Sequence, residues 1–181
     1  MKIAYADPPY IGQARRRYAC PEVDHTALIK RLCAEFDAWA LSCSSPSLFT
    51  LLPLCPSGTR IAAWVKPFAI FKPGVNPAYA WEPVLFYGVR KRPRTVATVR
   101  DWISSSITLK RGLCGAKPTG FCDWLFDLLA LELSDTFADL FIGTGAVTKA
   151  YEAWRERKLA VASATAPNKC SMPHLGAVAQ P

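Results

Sequence analysis

Lys2-Ile-Ala-Tyr-Ala-Asp7-Pro8-Pro9-Tyr10 is the stretch on which the fold of this chain turns. Lys2 to Ala6 is a short apolar, β-prone run, and the two prolines stop it because they lack the N–H that a strand ladder needs. A carboxylate, two rigid rings and an aromatic side chain therefore stand at the carboxyl end of a strand, the edge where ligands bind in open α/β sheets. The Asp7 carboxylate and the Pro8 carbonyl can each accept a hydrogen bond from one planar amino group, while Tyr10 stacks on the attached ring. An exocyclic base amine is such a group. An ordinary strand-to-loop turn uses the same residue types.

The last third of the chain carries a second signal. Asp135-Thr-Phe-Ala-Asp139-Leu-Phe141-Ile-Gly143-Thr-Gly145 reads as a strand, a glycine turn and the start of a helix. Glycines at 143 and 145 let the backbone approach a ligand closely, and the N–H groups of the following helix point at the same place. Ahead of it, Gly115-Ala-Lys117-Pro118-Thr119-Gly120 leads into a helical run through Glu132. Alone, a Gly-x-Gly turn is common to many α/β proteins.

Asp7-Pro8-Pro9-Tyr10 resembles motif IV of the amino-methyltransferases, the S-adenosylmethionine (SAM)-dependent enzymes that methylate adenine N6 or cytosine N4. Asp139-x-Phe141-x-Gly143-x-Gly145 resembles their cofactor motif I, and Lys117-Pro118 their motif X. With motif IV first and motifs X and I last, the order resembles the β class, over Lys2 to about Trp154. The resemblance implies one α/β domain over residues 1–164, Rossmann-like and circularly permuted, with a mixed, mostly parallel sheet and helices on both faces. Residues 165–181 are expected to form an irregular tail. Catalysis falls to Asp7, Pro8, Pro9 and Tyr10. The implied cofactor is SAM, lined by Ala6, Asp7, Lys117, Pro118, Thr119, Asp139, Phe141, Gly143 and Gly145, with Lys117 and Thr119 near its carboxylate and Asp139 near its ammonium group. Because Asp-Pro-Pro-Tyr is the form commonest among N6-adenine enzymes, adenine N6 is the expected target. Cytosine N4 methylation, or a catalytically weak nucleic-acid-binding partner subunit that keeps the fold, are the alternatives.

The 181 residues suffice for one domain with a sizeable core, and the half-apolar composition is globular rather than disordered. A net charge of +8 favours association with a polyanion. Arg15, Arg16 and Arg17 follow the proline corner, and Arg90, Lys91, Arg92 and Arg94 open a basic stretch over residues 88–115, where family members insert a target-recognition region. Arginine forks bind phosphates bidentately, so both groups are expected to contact DNA, double- or single-stranded, with little sequence specificity. The seven cysteines, at 20, 33, 43, 55, 114, 122 and 170, lack the close pairs of zinc or redox motifs and read as reduced thiols. No metal is expected. Asp123, Asp127 and Glu132 interrupt the longest apolar region, and Met1-Lys2 leads straight into the strand without a signal-like run, so no membrane span and a cytoplasmic location are expected. A homodimer is compatible with the resemblance.

Between the two signals, Asp24 precedes a helical pattern over Thr26–Trp39, with His25 at its start as a surface or capping residue. A buried strand follows over Trp39–Cys43, then a short helix over Ser47–Leu54. Strands over Thr59–Pro67 and Glu82–Gly88 are expected to close the sheet as an antiparallel pair, with Trp64-Val-Lys66 and Trp81-Glu82-Pro83 matching the family loosely. After motif I the family has a strand ending in an acid that holds the cofactor ribose, whereas Arg157-Lys-Leu-Ala-Val-Ala-Ser163 ends without one. Methylation at cytosine C5 needs a nucleophilic cysteine in a Pro-Cys setting, and no cysteine here directly follows a proline.

Overall fold

A computed structural model of the protein describes residues 1–67, 74–107 and 116–165. The link over 68–73, the basic positions Lys110 and Arg111, and the tail beyond 165 lie outside the described residues. Strands β1 (Lys2–Ala6), β2 (Ala38–Ser42), β3 (Arg60–Val65), β4 (Trp81–Tyr87), β5 (Trp102–Ser104) and β6 (Thr136–Asp139) form one six-stranded sheet in the order β5-β3-β4-β2-β1-β6. Five strands point the same way and β4 alone runs against them. The helices are α1 (Ala14–Tyr18), α2 (His25–Glu35), α3 (Leu48–Leu51), α4 (Thr119–Leu128) and α5 (Ala146–Thr165).

Alternation along β1 sets the layers. Ile3 and Tyr5 point into one core with Trp64, Phe121, Phe126 and Trp154, under α4 and α5. Ala4 and Ala6 point into the other with Leu28, Leu32, Trp39 and Leu51, under α2 and α3. Successive strand residues face opposite sides, so a strand with helices on both faces is apolar at every position, as β1 is from Ile3 to Ala6. This is the expected Rossmann-like α/β architecture. No helix among the described residues is long and apolar enough to cross a membrane.

Several boundaries differ from the sequence expectation. Asp24 caps α2, accepting the Ala27 N–H at 2.9 Å, but the helix ends at Glu35 and Phe36 is already extended. Trp39 sits fully buried in β2, and its helical spacing from Leu32 and Phe36 is a coincidence of two apolar elements in tandem. The helical run expected through Glu132 stops at Leu128 because Ala130 turns the chain at a φ of 52°. The three arginines after the proline corner are not loop but the short helix α1, where Glu22 accepts the Gly12 and Ala14 N–H groups at 3.2 Å. Arg157 to Ser163, read as the counterpart of a family strand, belongs instead to the twenty-residue helix α5. Its Ala, Leu, Lys, Arg and Glu residues are strong helix formers, and no Gly or Pro interrupts them. β3 and β4 pair antiparallel as expected, yet they do not close the sheet: Trp102–Ser104, inside the basic stretch, adds a parallel edge strand to β3.

Candidate active site

α2 follows β1 on one face of the sheet, and α5 follows β6 on the other. The two neighbouring parallel strands thus send their connections in opposite directions, which opens a crevice beyond their carboxyl ends. Asp7 stands one residue past β1, and Asp139 is the last residue of β6, opposite Tyr5. The reversed strand β4 begins at this edge, so that Glu82, beside Trp64, and Lys66, just past β3, reach it too.

These groups form one charge network. The Lys117 ammonium lies 2.9 Å from Asp7 Oδ1 and 3.6 Å from Glu82 Oε2, over the rings of Trp64 and Phe121 at 5.2 and 5.6 Å. Lys66 donates to Glu82 Oε1, and the Tyr10 hydroxyl donates to Glu82 Oε2 at 2.7 Å. Burial alone pushes Lys117 down, but the two carboxylates outweigh it and raise its pKa, so the ammonium stays charged. Burial pushes Glu82 up, and Lys117 with Lys66 reverse this and hold its carboxyl below the ordinary value. At Asp7 burial wins over Lys117, and the carboxyl is raised. Burial likewise drives the Tyr10 phenol well above 10.0, which keeps it protonated as a donor.

On the β6 side, Asp139 accepts the Thr148 hydroxyl at 3.0 Å through Oδ2. Its Oδ1 is buried without a hydrogen-bond partner. Burial raises this carboxyl, and the Thr148 hydroxyl and Phe141 backbone offset part of the rise. Gly143 and Gly145 follow at φ of 49° and 72°, left-handed conformations that suit glycine, and nothing lies within 4 Å of where a Cβ on Gly145 would project. A half-buried acid with one buried oxygen left without a hydrogen-bond partner, beside an open glycine turn at a helix start, fits an amino-acid-like group: the carboxylate could take an ammonium and the backbone could pass close by.

The structure brings Ala6, Asp7, Pro8, Pro9, Tyr10, Lys117, Asp139, Phe141, Gly143 and Gly145 to one edge. Two details differ from expectation. Lys117 is committed to Asp7 and Glu82 rather than standing free for a cofactor carboxylate. Thr119 is exposed at the first turn of α4, after Pro118 at its N-cap. Arg15 and Arg16 are exposed on α1, close in sequence to the corner. Arg90 is elsewhere: its guanidinium binds Asp135 and Glu132 near Thr136, at the opposite, amino edge of the sheet, and Arg92 and Arg94 line a cleft there. Glu82, Lys66 and Thr148, which sequence reasoning did not assign to it, also stand at this candidate site. The signal for Glu82 and Lys66 was present in Trp81-Glu82-Pro83 and Trp64-Val-Lys66, but it needed the direction of β4 to be legible.

No protein-family model matches the chain, and no curated protein matches it. Solved structures do. The crystal structure of an M1.HpyAVI–SAM complex matches with a TM-score of 0.59 at 14% identity, covering 84% of this chain and 78% of that one. The crystal structure of M1.HpyAVI matches with a TM-score of 0.57 at 15% identity, covering 84% of this chain and 76% of that one. At such identities the likeness is one of fold.

Proposed function

We propose that the chain is a SAM-dependent methyltransferase acting on the exocyclic amine of a nucleic-acid base, with adenine N6 in DNA as its target. It keeps the motif IV-first order of the β class within one domain over residues 1–164. The observation that carries this reading is the pairing of Asp7 and Asp139 on adjoining strand ends across the crevice, one beside an aromatic corner and the other beside an open glycine turn. The fold shared with a protein crystallised with SAM supports the choice of cofactor.

Bound SAM supplies an electrophilic methyl on a sulfonium; the chain's own groups supply position. The buried and unpartnered Oδ1 of Asp139 takes the cofactor's ammonium, and the turn through Gly143 and Gly145 lets the backbone lie along it. Lys117 occupies Asp7 Oδ1 and leaves Oδ2 to accept one N–H of the target amine, with the Pro8 carbonyl taking the other. Hydrogen bonding of both protons favours a more tetrahedral nitrogen, whose lone pair is otherwise delocalised into the ring. Tyr10, tied to Glu82 through its hydroxyl, presents a fixed ring for stacking, worth ~1–3 kcal/mol per base. Rotating the base out of a duplex costs a few kcal/mol, which this stacking partly offsets. Orientation then supplies much of the rate.

The test is mass spectrometry of nucleosides from unmethylated DNA incubated with the protein and SAM. N6-methyladenine is expected, and Asp7→Ala should lower its rate by about 10²-fold or more while DNA binding persists. N4-methylcytosine would keep the mechanism and change the base. Full activity in Asp7→Ala would defeat the assignment.

A further inference from the structure

Gly88 carries the chain out of β4 at the amino edge of the sheet, and residues 88–101 there enclose a cleft of about 590 Å³ against the start of β3. Four arginines line it, and they divide by role. Arg90 is spent on Asp135 and Glu132 and serves as wall. Arg60 lies over the Phe86 ring at 5.2 Å and 3.7 Å from Asp101, an exposed and loose pairing that water largely screens. Arg92 and Arg94 have no acidic partner among the described residues. Asp101 is thus the one acid lining an open cleft that holds three loosely paired or unpaired guanidinium groups, floored by Phe86 and Leu128.

We propose that this cleft is a second nucleic-acid site, in which Arg60, Arg92 and Arg94 hold backbone phosphates far from the base being methylated. The proposal rests on the reading above that the substrate is a nucleic acid. β1 rises roughly 16 Å at about 3.3 Å per residue, and the cleft lies two strands across at about 4.8 Å each, so it stands on the order of 20 Å from Asp7. Duplex DNA advances about 3.4 Å per base pair. The phosphates held in the cleft therefore belong to nucleotides about six base pairs from the target. The cleft lengthens the footprint and adds affinity without reading sequence, because phosphate contacts position rather than specify.

The experiment measures binding of the full chain to duplexes whose flanks grow from about three to about ten base pairs beyond a central target, at several salt concentrations, for the wild type and Arg92→Ala/Arg94→Ala. The wild type should gain affinity as the flank passes about six pairs, and the double variant should lose that gain. Its plot of log affinity against log salt should be shallower by about 2, one unit per phosphate contact removed. An unchanged thermal midpoint shows that the variant folds. A flank dependence and salt slope equal in both proteins, or a wild type that binds no duplex, overturns the cleft. Failure of the catalytic reading looks different: neither SAM binding nor methylation is then found, while the variant's shallower slope persists.

Discussion

Asp139 is the residue at which structure adds most to chemistry. A carboxylate oxygen buried without a protein partner costs stability unless a water, an ion or a ligand completes it. Asp139→Asn keeps the shape and the Thr148 contact but removes the charge that the proposed reading sets against the cofactor ammonium. A charge-assisted hydrogen bond contributes about 1.5–3 kcal/mol, so the dissociation constant for SAM should rise roughly 10- to 100-fold. The thermal midpoint of the free protein should not fall, because a carboxylate with one buried, unpartnered oxygen has been removed. Titration calorimetry reads the first outcome and calorimetric melting the second; unchanged SAM affinity would take Asp139 out of the cofactor site. Asp7, Tyr10, Asp139 and the glycines were legible in the sequence because each occurs within a short run whose backbone fixes its direction. Lys117 was legible as a residue of the candidate edge but not as the counter-ion of Asp7 and Glu82, since those partners lie 110 and 35 positions away.

At the level of elements, β4 makes the site and Gly88 makes β4 possible. Gly88 adopts a φ of 74°, and a Cβ there would stand 2.0 Å from the Asp37 carbonyl oxygen. That carbonyl belongs to the backbone between α2 and β2, where Asp37 bonds Lys2 through both its N–H and its carboxylate, so it cannot step aside cheaply. Gly88→Ala combines a backbone clash with an unfavourable φ and should cost at least about 2 kcal/mol. In a domain of this size that lowers the melting temperature by roughly 5 °C or more, and a variant that melts with the wild type would show the turn to be slack. The strands were legible wherever apolar runs met turn residues, as at Ala6–Pro8 and Tyr87–Gly88. Trp102–Ser104 was not: it is a three-residue edge strand with an exposed Trp102, and its existence depends on β3 offering a free edge. Arg157–Ser163 misled because an apolar stretch too short to show its period is strand or helix according to its surroundings.

Across the whole molecule, the amino edge of the sheet is tied together at Asp135, whose side chain is 1% exposed. Burial pushes this carboxyl up, but the chain's amino group, the Arg90 guanidinium and the Glu132 N–H bond it and hold it below 3.8. A carboxyl depressed in the fold binds fewer protons there than in the unfolded chain. Its stabilisation is therefore fully present above about pH 4 and is lost as pH falls through the folded value. Melting temperature should decline as pH drops from about 4 to about 2. Asp135→Asn should lower the midpoint at pH 7 and flatten that decline; an equal acid slope in both proteins would place the sensitivity elsewhere.

The sheet order also has a consequence for how the chain is made. β1 pairs on one side with β2, some thirty residues on, but its other side belongs to β6 at Thr136–Asp139. At roughly 5–20 residues per second of synthesis, this strand waits on the order of ten seconds on the ribosome with one edge open. Fully apolar from Ile3 to Ala6, it is throughout that interval a template for pairing with a neighbouring nascent chain. Yield in a cell is therefore expected to depend on chaperone supply and translation speed more than the melting temperature of the finished protein suggests.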